Sequence, residues 1–311
     1  MPITARKRKI NTAGTKTVNI STLALDIGLM GMLRIHLKVL INYFVVNKNY
    51  YRVMNKLRVS LIHMETRETL EEALLAARRN IEKAAEFNPN FIALPEYFSV
   101  PGFFENYPSA KDIFEKTYKS TIQFLQRISS ALSSIYLIGG TVVEKWHNAY
   151  FNTCTLWRNG QLLGGYRKRS LINAEKRIGF SVGENPFVFS TEFCKIGILI
   201  CADIFNYEAV EQTVSMGAEA VFLPVAALYG HPDVKGHPLS ERIASEKGLF
   251  IIKIGNVRSG TRGGRSAVIA PWGVIHEAPD VPYDFILTAD LDIPKLRSYK
   301  EKLSKTLSTS R

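Results

Sequence analysis

Hydrophobic and polar positions fall into a regular order only from Lys56 onward. Leu57, Val59 and Leu61 alternate as in a strand with one buried face. Thr66 is then predicted to cap a helix in which Leu70, Ala73, Leu74, Ala77, Ile81 and Ala84 recur as one apolar stripe, and Asn88-Pro89 ends that helix. Phe91 to Leu94 is a continuous apolar run stopped by Pro95. A second helix is predicted within Ala110 to Ser133, followed by the strand Ile135 to Ile138.

The second half opens with two alternating runs, Tyr150 to Trp157 and Gln161 to Tyr166, separated by Arg158-Asn159-Gly160. Asn-Gly is the strongest short-range hairpin signal, so these read as an antiparallel pair leading into Arg167-Lys168. From Lys195 a short β-branched run reads as a buried strand and stops at Cys201-Ala202-Asp203. A helix near Tyr207 to Met216, the strand Ala220 to Leu223 ended by Pro224, and a helix near Leu239 to Lys247 follow. The strand Phe250 to Ile254, two strands flanking Pro271-Trp272-Gly273, and a last strand Phe285 to Ala289 complete the order, and the tail after Pro294 reads as a charged arm. Residues 54–311 are therefore expected to form one α/β domain of two sheets covered by helices.

The composition supports a sizeable core, with 46% hydrophobic and 11% aromatic residues in 311. A net charge of +12 suggests a nucleic-acid partner until it is located: residues 1–53 hold nine Lys/Arg and one Asp, which leaves +4 for the rest. A nucleic-acid face would lie on the folded domain, so that class is set aside. The apolar stretch from Ile20 to Val46 is broken by Asp26, Arg34 and Lys38, too soon for the roughly 20 apolar residues of a membrane span. Residues 1–53 read as a basic extension ahead of a start at Met54, with an organelle-targeting or membrane-surface helix as the alternative. Cys154, Cys194 and Cys201 form no CxxC pair and no disulfide framework, which fits a reducing, cytoplasmic setting.

Three polar residues stand where apolar strands run out: Glu96, Lys168 and Cys201. Strand ends on one edge of an α/β fold can converge. A carboxylate can take a thiol proton, an ammonium can hold developing negative charge, and a thiolate can attack a carbonyl or nitrile carbon. Singly, each has a plainer reading: a solvated loop acid, part of the basic run Arg167-Lys168-Arg169, and a packing cysteine. His231, Asp233 and His237 lie among prolines and suggest a loop rather than a metal site, and Gly255 to Gly264 lacks a phosphate-loop pattern.

Leu94-Pro-Glu-Tyr97, Tyr166-Arg-Lys-Arg-Ser-Leu171 and Gly197-Ile-Leu-Ile-Cys-Ala-Asp203 resemble, in order and spacing, the three signature blocks of the nitrilase superfamily of carbon-nitrogen hydrolases. The likeness runs from about Lys56 to Asp292 and includes Gly264 to Gly273. The resemblance implies a four-layer αββα sandwich, homodimeric or larger, with no metal or organic cofactor. It implies Glu96 as general base and then acid, Cys201 as nucleophile, Lys168 as oxyanion stabiliser and the Ala202 backbone N–H as a second oxyanion donor. A further glutamate is expected between the last two blocks: Glu175 is preferred over Glu184, because Gly183-Glu184-Asn185-Pro186 resembles a turn before the next strand. Tyr97, Phe98, Phe205, Leu228 and Tyr229 are expected to shape a pocket or to pack in the core.

Cys201-Ala202-Asp203 is more similar to the amidase, carbamoylase and omega-amidase branches than to true nitrilases, which typically follow the cysteine with Trp-Glu. The expected reaction converts a small linear carboxamide to a carboxylic acid and ammonia. An N-carbamoyl amide hydrolase, a nitrilase, and a non-catalytic binding protein of the same fold are the alternatives.

Overall fold

The computed structural model describes residues 56–132, 134–226, 237–257, 265–279, 281 and 283–309. Leu228, Tyr229, His231 and Asp233 and the whole of residues 1–53 lie outside the described residues.

The first strand, β1 (Lys56–Glu65), alternates as expected: Leu57, Val59 and Leu61 face one hydrophobic cluster, while Ile62 and Met64 face another. The helix α1 (Leu70–Ala85) starts three residues later than predicted. Thr69, not Thr66, is the cap, because Thr69 and Glu72 form a reciprocal capping box while Thr66 is held in extended pairing to Val257. β2 (Phe91–Ala93), α2 (Ala110–Ala131) and β3 (Tyr136–Trp146) follow. β3 is much longer than its apolar core suggested. Its polar end, Glu144 to Trp146, pairs with β4 (Ala149–Arg158), which turns through Asn159-Gly160 into β5 (Gln161–Arg167). Asn159 and Gly160 have φ of 49° and 73°, the positive pair that a two-residue hairpin turn demands.

After the short helix α3 (Asn173–Arg177) come β6 (Val188–Ser190), β7 (Lys195–Ile198), α4 (Tyr207–Ser215) and β8 (Ala220–Ala226). The chain closes with α5 (Pro238–Lys247), β9 (Phe250–Val257), β10 (Ala267–Ala270), β11 (Gly273–Glu277), β12 (Phe285–Asp292) and α6 (Ile293–Thr309). Pro224 does not end β8 as expected. It is tolerated inside the strand because Phe222, Pro224 and Ala226 turn their backbones toward β7, and β7 has left the ladder after Ile198. The tail is likewise a docked helix rather than a free arm: Leu296 is fully buried, Tyr299 Oη donates to the Ser245 carbonyl at 3.0 Å, and Arg297 pairs with Glu219 at 2.7 Å.

The strands run β5-β4-β3-β2-β1-β9-β8-β7-β6, with β12 on β1 and β10 on β9. Only Met64 and Glu65 of β1 pair with β9, so the ribbon folds there into two facing sheets. Their inner faces share one apolar cluster, in which Phe91 of the first sheet meets Phe222 of the second at 5.3 Å between ring centroids. α1 and α2 cover the outer face of the first sheet, and α4 and α5 cover that of the second. The architecture is a four-layer αββα sandwich. In each half three adjacent strands run parallel (β1-β2-β3 and β7-β8-β9), which places their C-terminal ends on one edge.

Candidate active site

Glu96 leaves β2 behind Pro95, in a loop that the β3 bulge grips. Gly140 has φ +60°, and a Cβ there would stand 2.4 Å from the Pro95 carbonyl oxygen, so only glycine admits this approach. The Tyr97 N–H donates to Thr141 Oγ1 at 2.9 Å, and Asn256 Nδ2 donates to the Glu96 carbonyl at 2.8 Å. The carboxylate is thereby fixed from both sides. Its Oε1 accepts from Lys168 Nζ at 2.8 Å and Asn152 Nδ2 at 2.9 Å, and its Oε2 accepts from the Ala226 N–H at 2.8 Å.

Lys168 stands at the end of β5, held by its N–H to the Asn152 carbonyl and by its own carbonyl to the Gly183 N–H, both at 2.8 Å. Its side chain is 2% exposed and its ammonium lies between two carboxylates, 2.8 Å from Glu96 Oε1 and 2.8 Å from Glu175 Oε1. Glu175 sits on α3 with no exposure. Its Oε1 also accepts from Tyr97 Oη at 2.7 Å and Asn152 Nδ2 at 3.0 Å, while Oε2 accepts the Ile172 N–H at 2.9 Å. Glu184 is exposed in the loop before β6, outside this network.

Cys201 follows β7 with φ +46°, a left-handed conformation costly for any residue with a Cβ. The short 3-10 turn Cys201–Phe205 begins there, and its first internal bond runs from the Asp203 N–H to the Ile200 carbonyl. The N–H groups of Cys201 and Ala202 precede that bond and are not consumed by the turn. Asp203 is fully buried and ties two loops together: it accepts from the Ile200 N–H (3.0 Å) on the cysteine side, and from Tyr166 Oη (2.9 Å), the Arg169 N–H (3.1 Å) and the Ser170 N–H (2.7 Å) on the lysine side.

Electrostatics divide the labour. Burial pushes the Cys201 thiol up to about 12, with Glu96 adding to the rise and Lys168 and the Ala226 N–H opposing it. The thiol is therefore protonated at rest. Burial also raises the Glu96 carboxyl, against the pull of Lys168 and Asn152, which gives it the proton affinity a general base requires. Burial works to lower Lys168, but Glu96, Cys201 and Glu175 outweigh it and hold the ammonium charged.

The structure thus brings Glu96, Lys168 and Glu175 into direct contact and places Cys201 within their field. Other expected positions fall elsewhere. Tyr97 packs among the buried residues: it is 4% exposed, its ring stacks on Phe104 at 4.4 Å, and its hydroxyl donates to Glu175. Phe98 is core beside Phe124. Phe205 is 79% exposed, because the 3-10 turn carries it outward. His237 is buried at the head of α5. Two residues were missed. Asn152 is a lone amide in the inward rank that includes Cys154 and Leu156, and Asp203 is a lone carboxylate two residues past the thiol; each is a polar group where the pattern calls for an apolar one.

Fold and site together set a buried carboxylate and ammonium beside a half-buried thiol, the equipment of a cysteine hydrolase. The chain belongs to the carbon-nitrogen hydrolase family, whose sequence profile matches residues 58–301. It is 27% identical over 263 residues to the omega-amidase NIT2 of Mus musculus and 26% to that of Homo sapiens, in both cases across 80% of this chain and 94% of the relative. Among solved structures it resembles Saccharomyces cerevisiae Nit3, a member of branch 10 of the nitrilase superfamily, with a TM-score of 0.69 at 24% identity over 80% of this chain and 94% of that one. An amidase from Nesterenkonia sp. superposes with a TM-score of 0.66 at 21% identity, covering 81% and 96%.

Proposed function

We propose that the protein hydrolyses a small linear carboxamide to the carboxylic acid and ammonia through a thioester on Cys201. The observation that carries this reading is the ammonium of Lys168 bridging Glu96 and Glu175 at 2.8 Å each beside a thiol at a strained strand end. Glu96 takes the thiol proton as sulfur attacks the amide carbon, and the new oxyanion is held by Lys168 and the Ala202 N–H. Glu96 returns that proton to the departing nitrogen, the C–N bond breaks, and ammonia leaves. Glu96 then deprotonates a water that attacks the thioester; the C–S bond breaks and sulfur regains its proton. Glu175 keeps Lys168 charged and oriented throughout.

Omega-amidase and amidase relatives favour a carboxamide over a nitrile or a carbamoyl group. In this reading residues 54–311 carry the reaction and residues 1–53 are an extension dispensable for it. The enzyme works as a homodimer, for which the exposed rings of Phe205 and Tyr207 offer apolar surface, in a reducing compartment such as the cytoplasm that suits its three free thiols.

The test is ammonia release from a panel of amides, carbamoyl amino acids and nitriles, using the full chain beside its Cys201→Ala variant and a chain starting at Met54. Release from amides that the variant abolishes supports the reading. Turnover restricted to nitriles or carbamoyl compounds, or equal turnover by the variant, overturns it.

A further inference from the structure

α1 and α2 lie side by side on the outer face of the first sheet, with a groove of about 360 Å³ between them. Its floor is apolar. Leu74 and Phe124 pack into the cluster beneath the helices, and Leu75 remains 50% exposed. Arg78 of α1 and Arg127 of α2 line the groove, and Ser120 and Gln123 complete it. Among the described residues no acidic side chain does so.

The two arginines break a habit of this chain. Arg58, Arg67, Arg158, Arg167, Arg265 and Arg297 each hold a carboxylate oxygen at 2.7 to 2.8 Å. Among the described residues Arg78 and Arg127 make no ion pair, although Glu82 follows Arg78 at the i+4 position. An exposed leucine beside unpaired guanidiniums has the composition of a protein contact surface, where arginine is enriched and apolar side chains sit at the centre.

The charges around the groove select the occupant. A nucleic-acid strand or an anionic membrane presents uniform negative charge, whereas along α1 Glu71, Glu72 and Glu82 balance Arg78, Arg79 and Lys83, so the helix offers a polyanion no net attraction. A second copy of this chain, docked by the same groove across a two-fold axis, would set arginine against arginine. A helix from another protein meets neither objection. It can direct carboxylates to Arg78 and Arg127, an apolar side chain to Leu75, and basic side chains to the glutamates that flank the groove.

We infer that the groove between α1 and α2 is a docking surface for an amphipathic helix of a partner protein, one that carries acidic side chains on either side of an apolar one. The groove shares no residue with the site of Glu96, Lys168 and Cys201, so docking does not depend on the amide-hydrolase reading.

The test is a selection of displayed helical peptides, randomised along one face, on the full-length protein. The Arg78→Glu/Arg127→Glu protein is the counter-target, and its circular dichroism and melting temperature are expected to match the wild type because both side chains are exposed. Enrichment of peptides with acids flanking an apolar residue supports the inference when their affinity, read by fluorescence anisotropy, falls about 10-fold or more on the double variant and also drops on Leu75→Ser. No enrichment, enrichment of acid-poor peptides, or equal binding by the double variant overturns it. Tighter binding of a single-stranded oligonucleotide or of phosphatidylserine vesicles than of the enriched peptides overturns it in favour of a nucleic acid or a membrane. Self-association lost on the double variant overturns it in favour of a second copy.

Discussion

Asp203 accepts the Tyr166 hydroxyl at 2.9 Å, and through this bond the strand that leads into Lys168 is tied to the turn that begins at Cys201. The same carboxylate takes three backbone N–H groups from those two loops. The spacing between Lys168 and Cys201 is therefore set by a residue that belongs to neither side chain's contacts.

Replacing Asp203 by Ala leaves buried donors without an acceptor and should destabilise the protein by about 3 kcal/mol, read from urea unfolding. Tyr166→Phe removes one bond only and should cost about 1 kcal/mol. Equal and small losses for both would show that Asp203 does not hold the loops.

Glu175→Gln preserves shape while removing one of the two charges on Lys168. The expected result is a fall in kcat of about 100-fold or more with KM moving little, since in the proposed reaction the ammonium acts on the oxyanion rather than on the bound amide. Glu184→Gln, outside the network, serves as the comparison and should keep wild-type kinetics.

Asn152→Ala should displace the acid limb of the pH profile. In the proposed reaction Glu96 must be deprotonated to accept the thiol proton, so kcat/KM is expected to rise as pH passes through its pKa. Burial holds that pKa above the ordinary value and the Asn152 amide pulls it down, so deleting the amide raises it and moves the limb to higher pH. A limb that stays in place would separate Asn152 from the ionisation of Glu96.

Gly183→Ala should impair activity more than its size suggests. An added Cβ would lie 2.2 Å from the Arg167 carbonyl oxygen, and the same glycine donates its N–H to the Lys168 carbonyl at 2.8 Å. The backbone carrying Lys168 has to shift, so turnover by folded protein is expected to drop at least about tenfold, because misplacement of reacting groups by an ångström is costly. Gly179→Ala meets no neighbouring atom within 4 Å but sits at φ +89°, so it should cost about 1 kcal/mol of stability with the chemistry intact.

Much of the architecture was legible because it rests on local rules. The Asn159-Gly160 turn, the apolar stripe of α1 and the strand that stops before Cys201 each state their structure within a few residues. The errors arose where a neighbour decided. Pro224 stays in its strand because β7 has already departed, β3 continues past its apolar core because β4 pairs with its polar end, and the charged tail becomes a helix because Leu296 and Tyr299 find partners on the second half.

The sequence by itself determined the order of elements and which side chains could carry chemistry, since periodicity and residue type are properties of the chain alone. Glu96, Lys168 and Cys201 lie in separate blocks of that chain, and only the folding of two sheets onto one another makes them neighbours. The choice between Glu175 and Glu184 was likewise tertiary: both are acids in one short segment, and one is buried on Lys168 while the other meets water. Burial and charge pairing depend on distance in space. That distance decides which carboxylate is a solvated acid and which holds an ammonium in place.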